Sequence, residues 1–335
     1  MDLFENAFSC LAGLAIGDAM GMPTEFLTPK LIAENYGWVQ DFVEPLDWHP
    51  HSRMMPGSIT DDTGQTLAIA HAYTDKGTLS AEDVARELIA WAEGIPEDEL
   101  VTFIGPSTSK ALSALKEGCR PQESGSSGKT NGGSMRVAPV GIIRFGDQSG
   151  AVADAYTSCI PTHNTTVAAA GSGAVAAAIA AALTPNASLD EIIEAGKFGA
   201  RAGSKNGNWA WGTSLDKRIE LADRLVQDAD DEKSALDLLY NYVGVDMLVA
   251  ESVATAFGIV RLAGGEPMKA CVLGANIGGD SDTIAAIAAA ICGAWKGINF
   301  IDTNLLDVVL EVNGLNLAIE AQRLVDIAEN KRGSA

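Results

Sequence analysis

Segment 167–183 constrains the fold most, because it is mostly alanine, with Gly171, Ser172 and Gly173 in its first half. A helix of this length could cross a bilayer, but alanine and glycine transfer only weakly into lipid. Small side chains instead let neighbouring backbones come close together. The segment therefore predicts a buried helix that packs tightly against other elements of a folded core.

Capping residues followed by helical apolar spacing recur along the chain, whereas the strict alternation typical of a half-buried strand is almost absent. Ser80 is followed by acidic residues and then by an amphipathic pattern, so a capped helix is predicted up to Gly94. Ser188 with Glu191 repeats the capping pattern. Further helices are predicted for residues 66–73, 107–115, 165–182, 215–226, 235–242, 249–263, 268–273, 284–295 and 315–328. The chain is therefore predicted to be mainly helical.

Two glycine-containing segments are predicted to be loops. Residues 123–133 (ESGSSGKTNGG) are dense in glycine and serine, and residues 206–212 (NGNWAWG) carry two tryptophans. Neither has the length of a disordered linker, and no shift in composition divides the chain into halves. We therefore predict a single domain over residues 1–335.

The charge balance argues against a nucleic-acid partner. The chain of 335 residues has 23 Lys and Arg against 44 Asp and Glu, and its formal net charge of -21 repels polyanions. An anionic substrate would therefore have to be bound by a few local groups.

The cysteines and the first residues indicate the compartment. The 5 cysteines are scattered and form no Cys-x-x-Cys pair, which is typical of reduced thiols in a cytosol. Acidic Asp2 and Glu5 stand where a signal peptide would be basic, and the apolar run at 11–16 is too short for one. We therefore predict a cytoplasmic protein with no membrane partner.

Two acidic clusters stand just before apolar helical segments, TDDT at 60–63 and GGDSDT at 278–283. Capping a helix needs one side chain at each position, whereas several carboxylates against a buried helix indicate cations. Because the donors are all oxygen atoms, Mg²⁺, Mn²⁺ or Ca²⁺ is expected rather than zinc. Spacing does not establish whether the clusters meet, so one two-metal site and two separately capped helices both stay open.

Four motifs together resemble the ADP-ribosylglycohydrolase family, which includes the dinitrogenase reductase-activating glycohydrolases. They are GDAMGMPTEF at 17–26, TDDT at 60–63, NGGSMRVAPVG at 131–141 and GGDSDT at 278–283. The resemblance implies a compact all-α fold with two divalent ions, Mg²⁺ or Mn²⁺, in a cleft. It assigns the metal ligands to Thr60, Asp61, Asp62, Asp280, Asp282 and Thr283.

The resemblance also implies catalytic roles for Glu25, Asp62 and Asp280. Glu25 matches a glutamate that gates or assists catalysis in the family, and the alternative is a helix-end carboxylate in an exposed loop. Asp18 is expected to be structural and to hold the glycine-rich turn around it by hydrogen bonds to the backbone.

The substrate-binding residues implied by the resemblance lie mainly in segment 125–136. They are Asn131, Gly132, Gly133, Ser134, Met135 and Arg136, with His163 from the segment before the alanine-rich helix. Glycine would let the backbone approach a phosphate or a ribose. Two alternatives stay open: Arg136 as a structural residue that pins the loop to an acidic helix end, and His163 as a histidine satisfied by hydrogen bonds.

Trp209 and Trp211 are candidates for stacking a base or another planar group at the rim of the cleft. The alternative is that both rings pack their loop onto the helices. No stacking residue for an adenine is assigned by the resemblance.

The predicted function is hydrolysis of an N- or O-glycosidic bond at the anomeric carbon of a ribose, in an ADP-ribosylated protein or small molecule. One alternative is a hydrolase of a smaller ribosylated or nucleoside-like metabolite without ADP recognition. Another is a relative that binds ADP-ribose without catalysis. A phosphohydrolase of the helical His-Asp type ranks last, because none of the 4 histidines is followed by Asp.

Overall fold

A computed structural model describes residues 2–333, and this part of the chain is built from α-helices without a β-sheet. Two isolated bridges, Thr130 with Leu248 and Thr165 with Asn208, are its β-type pairings. The helices are α1 Leu3–Gly21, α2 Pro29–Tyr36, α3 Asp61–Ala72, α4 Ala81–Glu93, α5 Glu97–Phe103, α6 Pro106–Lys116, α7 Pro121–Ser124, α8 Gly132–Met135, α9 Ala138–Ile143, α10 Gln148–His163, α11 Thr166–Ala182, α12 Leu189–Gly203, α13 Leu215–Gln227, α14 Glu232–Leu238, α15 Val249–Leu262, α16 Pro267–Ala275, α17 Ser281–Lys296, α18 Thr303–Asn313 and α19 Leu317–Gly333. The all-α prediction is confirmed.

Several predicted helix ends are confirmed by their hydrogen bonds. The Ser80 hydroxyl accepts the N–H of Asp83 at the start of α4. Ser188 and Glu191 form the reciprocal capping box of α12. Two starts lie earlier than predicted, because α3 begins at Asp61 and α17 at Ser281. Both acidic clusters therefore occupy the first turns of helices.

Other helices were not predicted, for identifiable reasons. Nearly all of α1 is buried, so it lacks a polar face, and α10 contains Pro161 in its last turn. The predicted helix at 235–242 is divided between α14 and a π-helical turn, Leu239–Val243. The predicted loop 123–133 is shorter than expected, because α7 enters it and α8 closes it.

Helix α1 lies along α17, and glycines on one face of α1 let the two backbones come almost into contact. Gly13, Gly17 and Gly21 recur every four residues and so share that face. A Cβ added at Gly13 would lie 2.6 Å from the carbonyl oxygen of Ala289, and one at Gly17 would lie 2.6 Å from that of Ala285. This close approach fixes the end of α1 beside the start of α17.

The alanine-rich segment forms α11, which is buried along almost its whole length, as predicted. It packs closely on α12, because a Cβ at Gly173 would lie 2.7 Å from the carbonyl oxygen of Gly199. Within residues 2–333 no helix combines the length and the apolar character needed to cross a bilayer. The single-domain organisation over residues 1–335 stays a prediction.

We expect Gly17→Ala to destabilise the protein, although alanine is the better helix former by about 1 kcal/mol. The added methyl group would meet the backbone of Ala285, which has no flexible end to move aside. Forcing α1 away from α17 should cost about 1–3 kcal/mol. Urea unfolding measures the change in the free energy of unfolding.

The matched control is Gly94→Ala at the end of α4, where an added Cβ would make only ordinary contacts, at 3.4 Å and 3.6 Å. We expect this variant to be as stable as the parent. Equal stability of the Gly17→Ala variant and the parent would contradict the assigned packing of α1 on α17.

Candidate metal centre

The first turns of α3 and α17 meet at one cavity, although their sequences are far apart. The Thr283 hydroxyl donates to Asp62 Oδ2 at 3.2 Å across 221 positions of sequence. The polar residues of the two clusters and of the α1 end that line this cavity are Glu25, Asp61, Asp62, Asp280, Asp282 and Thr283. The two clusters therefore meet at one cavity, which the sequence spacing could not establish.

Asp18 joins α1 to the first turn of α3. Its carboxylate accepts hydrogen bonds from the backbone N–H and the hydroxyl of Thr60 and of Thr63, at 2.6–3.2 Å. Burial raises its pKa, and these four donors oppose that rise. Asp18 is structural, as expected, but the expected partner was wrong. Its carboxylate holds segment 60–63, because α3 starts directly opposite the C-terminal half of α1.

Glu25 follows a 3₁₀ turn, Met22–Thr24, that extends α1. Only 8% of the residue is exposed, so the alternative of a carboxylate in an exposed loop is excluded. One oxygen each from Glu25, Asp280 and Asp282 can serve as a ligand atom, and these atoms lie within 4.8 Å of one another. Such a group of oxygen donors suits a hard divalent cation.

Two carboxylate oxygens in the cavity have no hydrogen-bond partner among residues 2–333. They are Asp62 Oδ1 and Asp282 Oδ1, and both are buried. A buried carboxylate oxygen without a partner costs free energy that a coordinated cation would recover. The unsatisfied oxygens therefore fit divalent ions, which the family resemblance had implied.

Burial and mutual repulsion shift the pKa values of the cavity carboxyls upwards. Desolvation followed by repulsion from neighbouring aspartates raises the pKa of Glu25, Asp62 and Asp282 well above their usual values. The same causes raise the pKa of Asp61 to about 8 and that of Asp280 to about 7. The metal-free site therefore favours protonated carboxyls, and positive charge would favour their ionised forms.

Thr60 differs from the other predicted ligands, because it does not line the cavity. Its hydroxyl donates to Asp18 at 2.9 Å and accepts the N–H of Asp62 as the cap of α3. Its role as a metal ligand stays a prediction.

Segment 131–135 divides into residues that line the cavity and residues that support it. Asn131, Gly132 and Met135 line it, and Asn131 Nδ2 donates both to Asp280 Oδ2 and to Ser252 Oγ. Gly133 and Ser134 lie behind them, both fully or nearly fully buried. A Cβ at Gly133 would lie 2.6 Å from the Cys159 sulfur, so a side chain at that position would force the Cys159 side chain to move.

Arg136 is completely buried between α3 and α10. Its guanidinium donates to Gln65 Oε1 at 2.6 Å, to Thr162 Oγ1 at 2.6 Å and to the Ser158 carbonyl at 3.1 Å. Gln65 in turn donates to Asp61 Oδ2 at 2.7 Å. The structural alternative for Arg136 fits this placement, because its contacts support an acidic helix start and none of its surface is exposed to a ligand.

His163 is the last residue of α10 and is also completely buried. Its Nε2 is hydrogen-bonded to Thr130 Oγ1 at 2.9 Å and its Nδ1 to Thr162 Oγ1 at 2.7 Å. Burial lowers its pKa well below the usual value, so the ring is neutral. His163 thus supports the segment that leads into Asn131 and is itself satisfied by hydrogen bonds.

Neither Trp209 nor Trp211 lines the acidic cavity. Both rings are highly exposed, and their centroids are 5.3 Å apart in an edge-to-face arrangement. Trp209 lines a second cavity, with residues of α11 and α15, that shares no lining residue with the acidic one. A stacking role for the two tryptophans in substrate binding stays a prediction.

Two histidines that border Pro50 were not predicted as site residues. His51 Nε2 is hydrogen-bonded to Glu25 Oε2 at 2.6 Å, and His49 Nε2 to the Glu25 carbonyl at 2.7 Å. Burial, with a smaller contribution from His49, lowers the pKa of His51 to about 4. The His-Pro-His sequence ahead of an acidic cluster was the available clue, but nothing in the spacing links it to Glu25.

Comparisons with known proteins agree with this fold and site. The sequence matches the family ADP-ribosylglycohydrolase over residues 1–333. The uncharacterized protein YegU of Escherichia coli (strain K12) is 34% identical, over 93% of this chain and 94% of its own length. The ADP-ribosyl-[dinitrogen reductase] glycohydrolase of Rhodospirillum rubrum is 26% identical, over 90% and 89%. A solved structure of an ADP-ribosylglycohydrolase-related protein complex superposes with a TM-score of 0.68 at 20% identity, covering 98% of this chain and 99% of that one.

The chain is therefore a hydrolase that acts on glycosidic bonds. It belongs to the ADP-ribosylglycohydrolase family, because the family match extends over residues 1–333. The resemblance found in the four sequence motifs is confirmed.

We expect the cavity carboxyls of the metal-free protein to lower its stability as the pH rises from about 4 to about 8. The raised pKa values of Asp280, about 7, and Asp61, about 8, mean that the folded chain keeps protons that the unfolded chain releases in this range. At these carboxyls the folded state binds more protons, so their contribution to the free energy of unfolding falls with rising pH. The buried histidines His51 and His163 contribute in the opposite sense below about pH 6.5, so the comparison is made above that pH. Thermal unfolding in EDTA at about pH 7 and about pH 8.5 should give the lower Tm at the higher pH.

Saturating Mn²⁺ should remove this difference, because a bound cation favours ionised carboxylates. A Tm in EDTA that stays constant, or that rises, between the two pH values would contradict the assigned electrostatics of the cavity.

Proposed function

We propose that this enzyme hydrolyses a glycosidic bond at the anomeric carbon of a ribose in an ADP-ribosylated substrate, with divalent ions, Mg²⁺ or Mn²⁺, at the acidic cavity. The observation that carries the proposal is a set of buried carboxylates facing one cavity, two of whose oxygens have no partner in the described chain. The Rhodospirillum rubrum relative, whose name states ADP-ribosyl glycohydrolase activity, supports the choice of substrate class.

The residues that would hold the ions come from both helix starts. They are Thr60, Asp61 and Asp62 of the α3 start, and Asp280, Asp282 and Thr283 of the α17 start. When bound, two ions would orient the ribose diol and a water molecule and stabilise the charge that develops as the bond breaks. The oxygen-only donor set is the chemistry that Mg²⁺ and Mn²⁺ prefer.

The chain's own groups orient this donor set and move the proton. Asn131 donates to Asp280 and Thr283 donates to Asp62, which fixes the direction of both carboxylates. Glu25 lines the same cavity, and its carboxylate would accept a proton from the attacking water and return it to the leaving group. Gly132 lines the same cavity, and a Cβ at this position would lie 2.8 Å from the His163 ring.

A smaller ribosylated or nucleoside-like substrate is the second candidate, and the cavity lining favours it. No Lys or Arg is found among the described residues that line the acidic cavity, and Phe103 is the aromatic residue there. A diphosphate would therefore meet negative side chains without a cationic partner. A non-catalytic role is the third candidate, and the convergence of the carboxylates weighs against it.

The domain organisation, the location and the partners of the enzyme are part of the same proposal. We propose one domain over residues 1–335, a cytoplasmic location, and neither nucleic-acid nor membrane partners. The free state of all five cysteines, four of them buried, supports a reducing environment.

We expect Asp62→Asn to lower turnover at least ~100-fold, because Asp62 presents a buried oxygen to the cavity and accepts a hydrogen bond from Thr283. The circular dichroism spectrum should stay helical, since no backbone group depends on this carboxylate. The matched control is Asp307→Asn on the exposed face of α18, which should be fully active. Full activity of the Asp62 variant would exclude the metal centre.

A substrate panel with Mg²⁺ or Mn²⁺ separates the two enzymatic candidates. ADP-ribosyl-arginine, ADP-ribosyl-serine and O-acetyl-ADP-ribose test the first candidate, and a set of nucleosides tests the second. We expect hydrolysis of at least one ADP-ribosyl compound. Hydrolysis of nucleosides alone would replace the proposed substrate class by the second candidate.

A further inference from the structure

We infer that His51 is a positioning residue for Glu25, holding its carboxylate towards the acidic cavity through one hydrogen bond. This inference rests on the proposed function, because the role of Glu25 is defined by the reaction. His51 itself does not line the acidic cavity; it lines a neighbouring one that also includes Phe103. It therefore acts on the reaction through Glu25 and without touching a substrate.

The geometry forms a closed ring of three hydrogen bonds between two segments. The His51 backbone N–H donates to His49 Nδ1 at 3.1 Å, His49 Nε2 meets the Glu25 carbonyl at 2.7 Å, and His51 Nε2 meets Glu25 Oε2 at 2.6 Å. Each bond restrains a different part of the unit: the His51 backbone, the Glu25 backbone and the Glu25 carboxylate. The three bonds thereby hold residues 49–51 in a fixed position against Glu25.

The ring of bonds also fixes where the protons are. Because a backbone N–H can only donate, His49 Nδ1 must accept, and His49 therefore carries its proton on Nε2. That proton points to the Glu25 carbonyl, which can only accept. His49 is thus a neutral imidazole with an assigned tautomer, and it presents His51 in a fixed orientation.

His51 Nε2 is hydrogen-bonded to Glu25 Oε2 and donates to it when the carboxylate is ionised, whereas the other ring nitrogen has no partner among the described residues. Nδ1 is buried and receives no hydrogen bond from the described residues. Leaving such a polar atom unsatisfied costs about 1–3 kcal/mol. An apolar side chain would fill the same space without this cost. The hydrogen bond from His51 Nε2 to Glu25 is therefore the feature that distinguishes histidine at this position.

Of the two Glu25 carboxylate oxygens, Oε2 is the one hydrogen-bonded to His51. No hydrogen bond from residues 2–333 is made to Oε1, while the carboxylate offers one oxygen to the group shared with Asp280 and Asp282. Phe26 covers the two imidazoles, with its ring centroid 6.3 Å from each, and is held with a φ of 61°. Buried imidazoles under an aromatic ring leave Glu25 few alternative rotamers.

The test compares His51→Leu, which removes the donor, with His51→Gln, whose amide nitrogen can replace Nε2. Kinetics on the best ADP-ribosyl substrate should show a kcat ~10–100-fold lower for the leucine variant, with KM nearly unchanged. The glutamine variant should recover most of this loss. His71→Leu is the matched control, because His71 is half-exposed, is bonded to Glu320 and lies in the last turn of α3, at the opposite end from the acidic cluster.

A double-variant cycle shows whether His51 acts through Glu25. In a Glu25→Gln background, adding His51→Leu should cause no further loss of kcat, since the bonded carboxylate is already gone. Calorimetry with Mn²⁺ alone gives a readout that needs no substrate. The affinity should fall ~10-fold in the leucine variant and should not fall again when the substitution is combined with Glu25→Gln.

Equal losses in the leucine and glutamine variants, additive losses in the double variant, or parental kcat and Mn²⁺ affinity in the leucine variant would each overturn the inference. These outcomes are distinct from failure of the proposed function. If the parent protein hydrolyses no member of the panel, the proposed function fails, whereas the Mn²⁺ measurements still test whether His51 positions Glu25.

Discussion

The close packing of α1 on α17 is the constraint on which the candidate metal centre depends. A glycine at every fourth position of one α1 face removes the side chains that would separate the helices. At the end of this helix contact Gly21 lies against the backbone of Asp282, and the next residues lead to Glu25. Asp18, from the same helix, accepts hydrogen bonds from Thr60 and Thr63 at the start of α3. The contact of the α1 glycines with α17 therefore sets the relative positions of Glu25, the α3 start and the α17 start.

Without bound cations, bringing these carboxyls together lowers the free energy of unfolding. Two unit charges about 4 Å apart repel by about 4 kcal/mol at an effective dielectric constant near 20, and a whole domain is stable by only about 5–15 kcal/mol. Five buried carboxyls with raised pKa values cannot all be ionised within that margin. The packing energy of α1, α3 and α17 therefore holds together a cluster of carboxyls that, in the proposed function, bound divalent ions would stabilise.

The sequence predicted the fold class and the acidic clusters because both depend on local patterns. Capping serines and helical apolar spacing located α4 and α12, and surplus carboxylates marked the starts of α3 and α17. Contacts between distant segments could not be predicted in this way. The Asp62–Thr283 pair, the bond from His51 to Glu25 and the burial of Arg136 depend on which faces meet. The positions of Trp209 and Trp211 are likewise set by the 206–212 loop, and their role in binding a substrate stays a prediction.

The central claim is that α1, α3 and α17 bring their carboxylates together to hold two divalent ions. Anomalous diffraction from crystals grown with Mn²⁺ tests it most directly, because the ions would be seen without reference to any substrate. We predict two manganese peaks in the acidic cavity, with Asp62 and Asp282 among the ligands through the oxygens that are now without partners. Manganese bound only at exposed surface carboxylates, or no manganese at all at saturating concentration, would contradict this account.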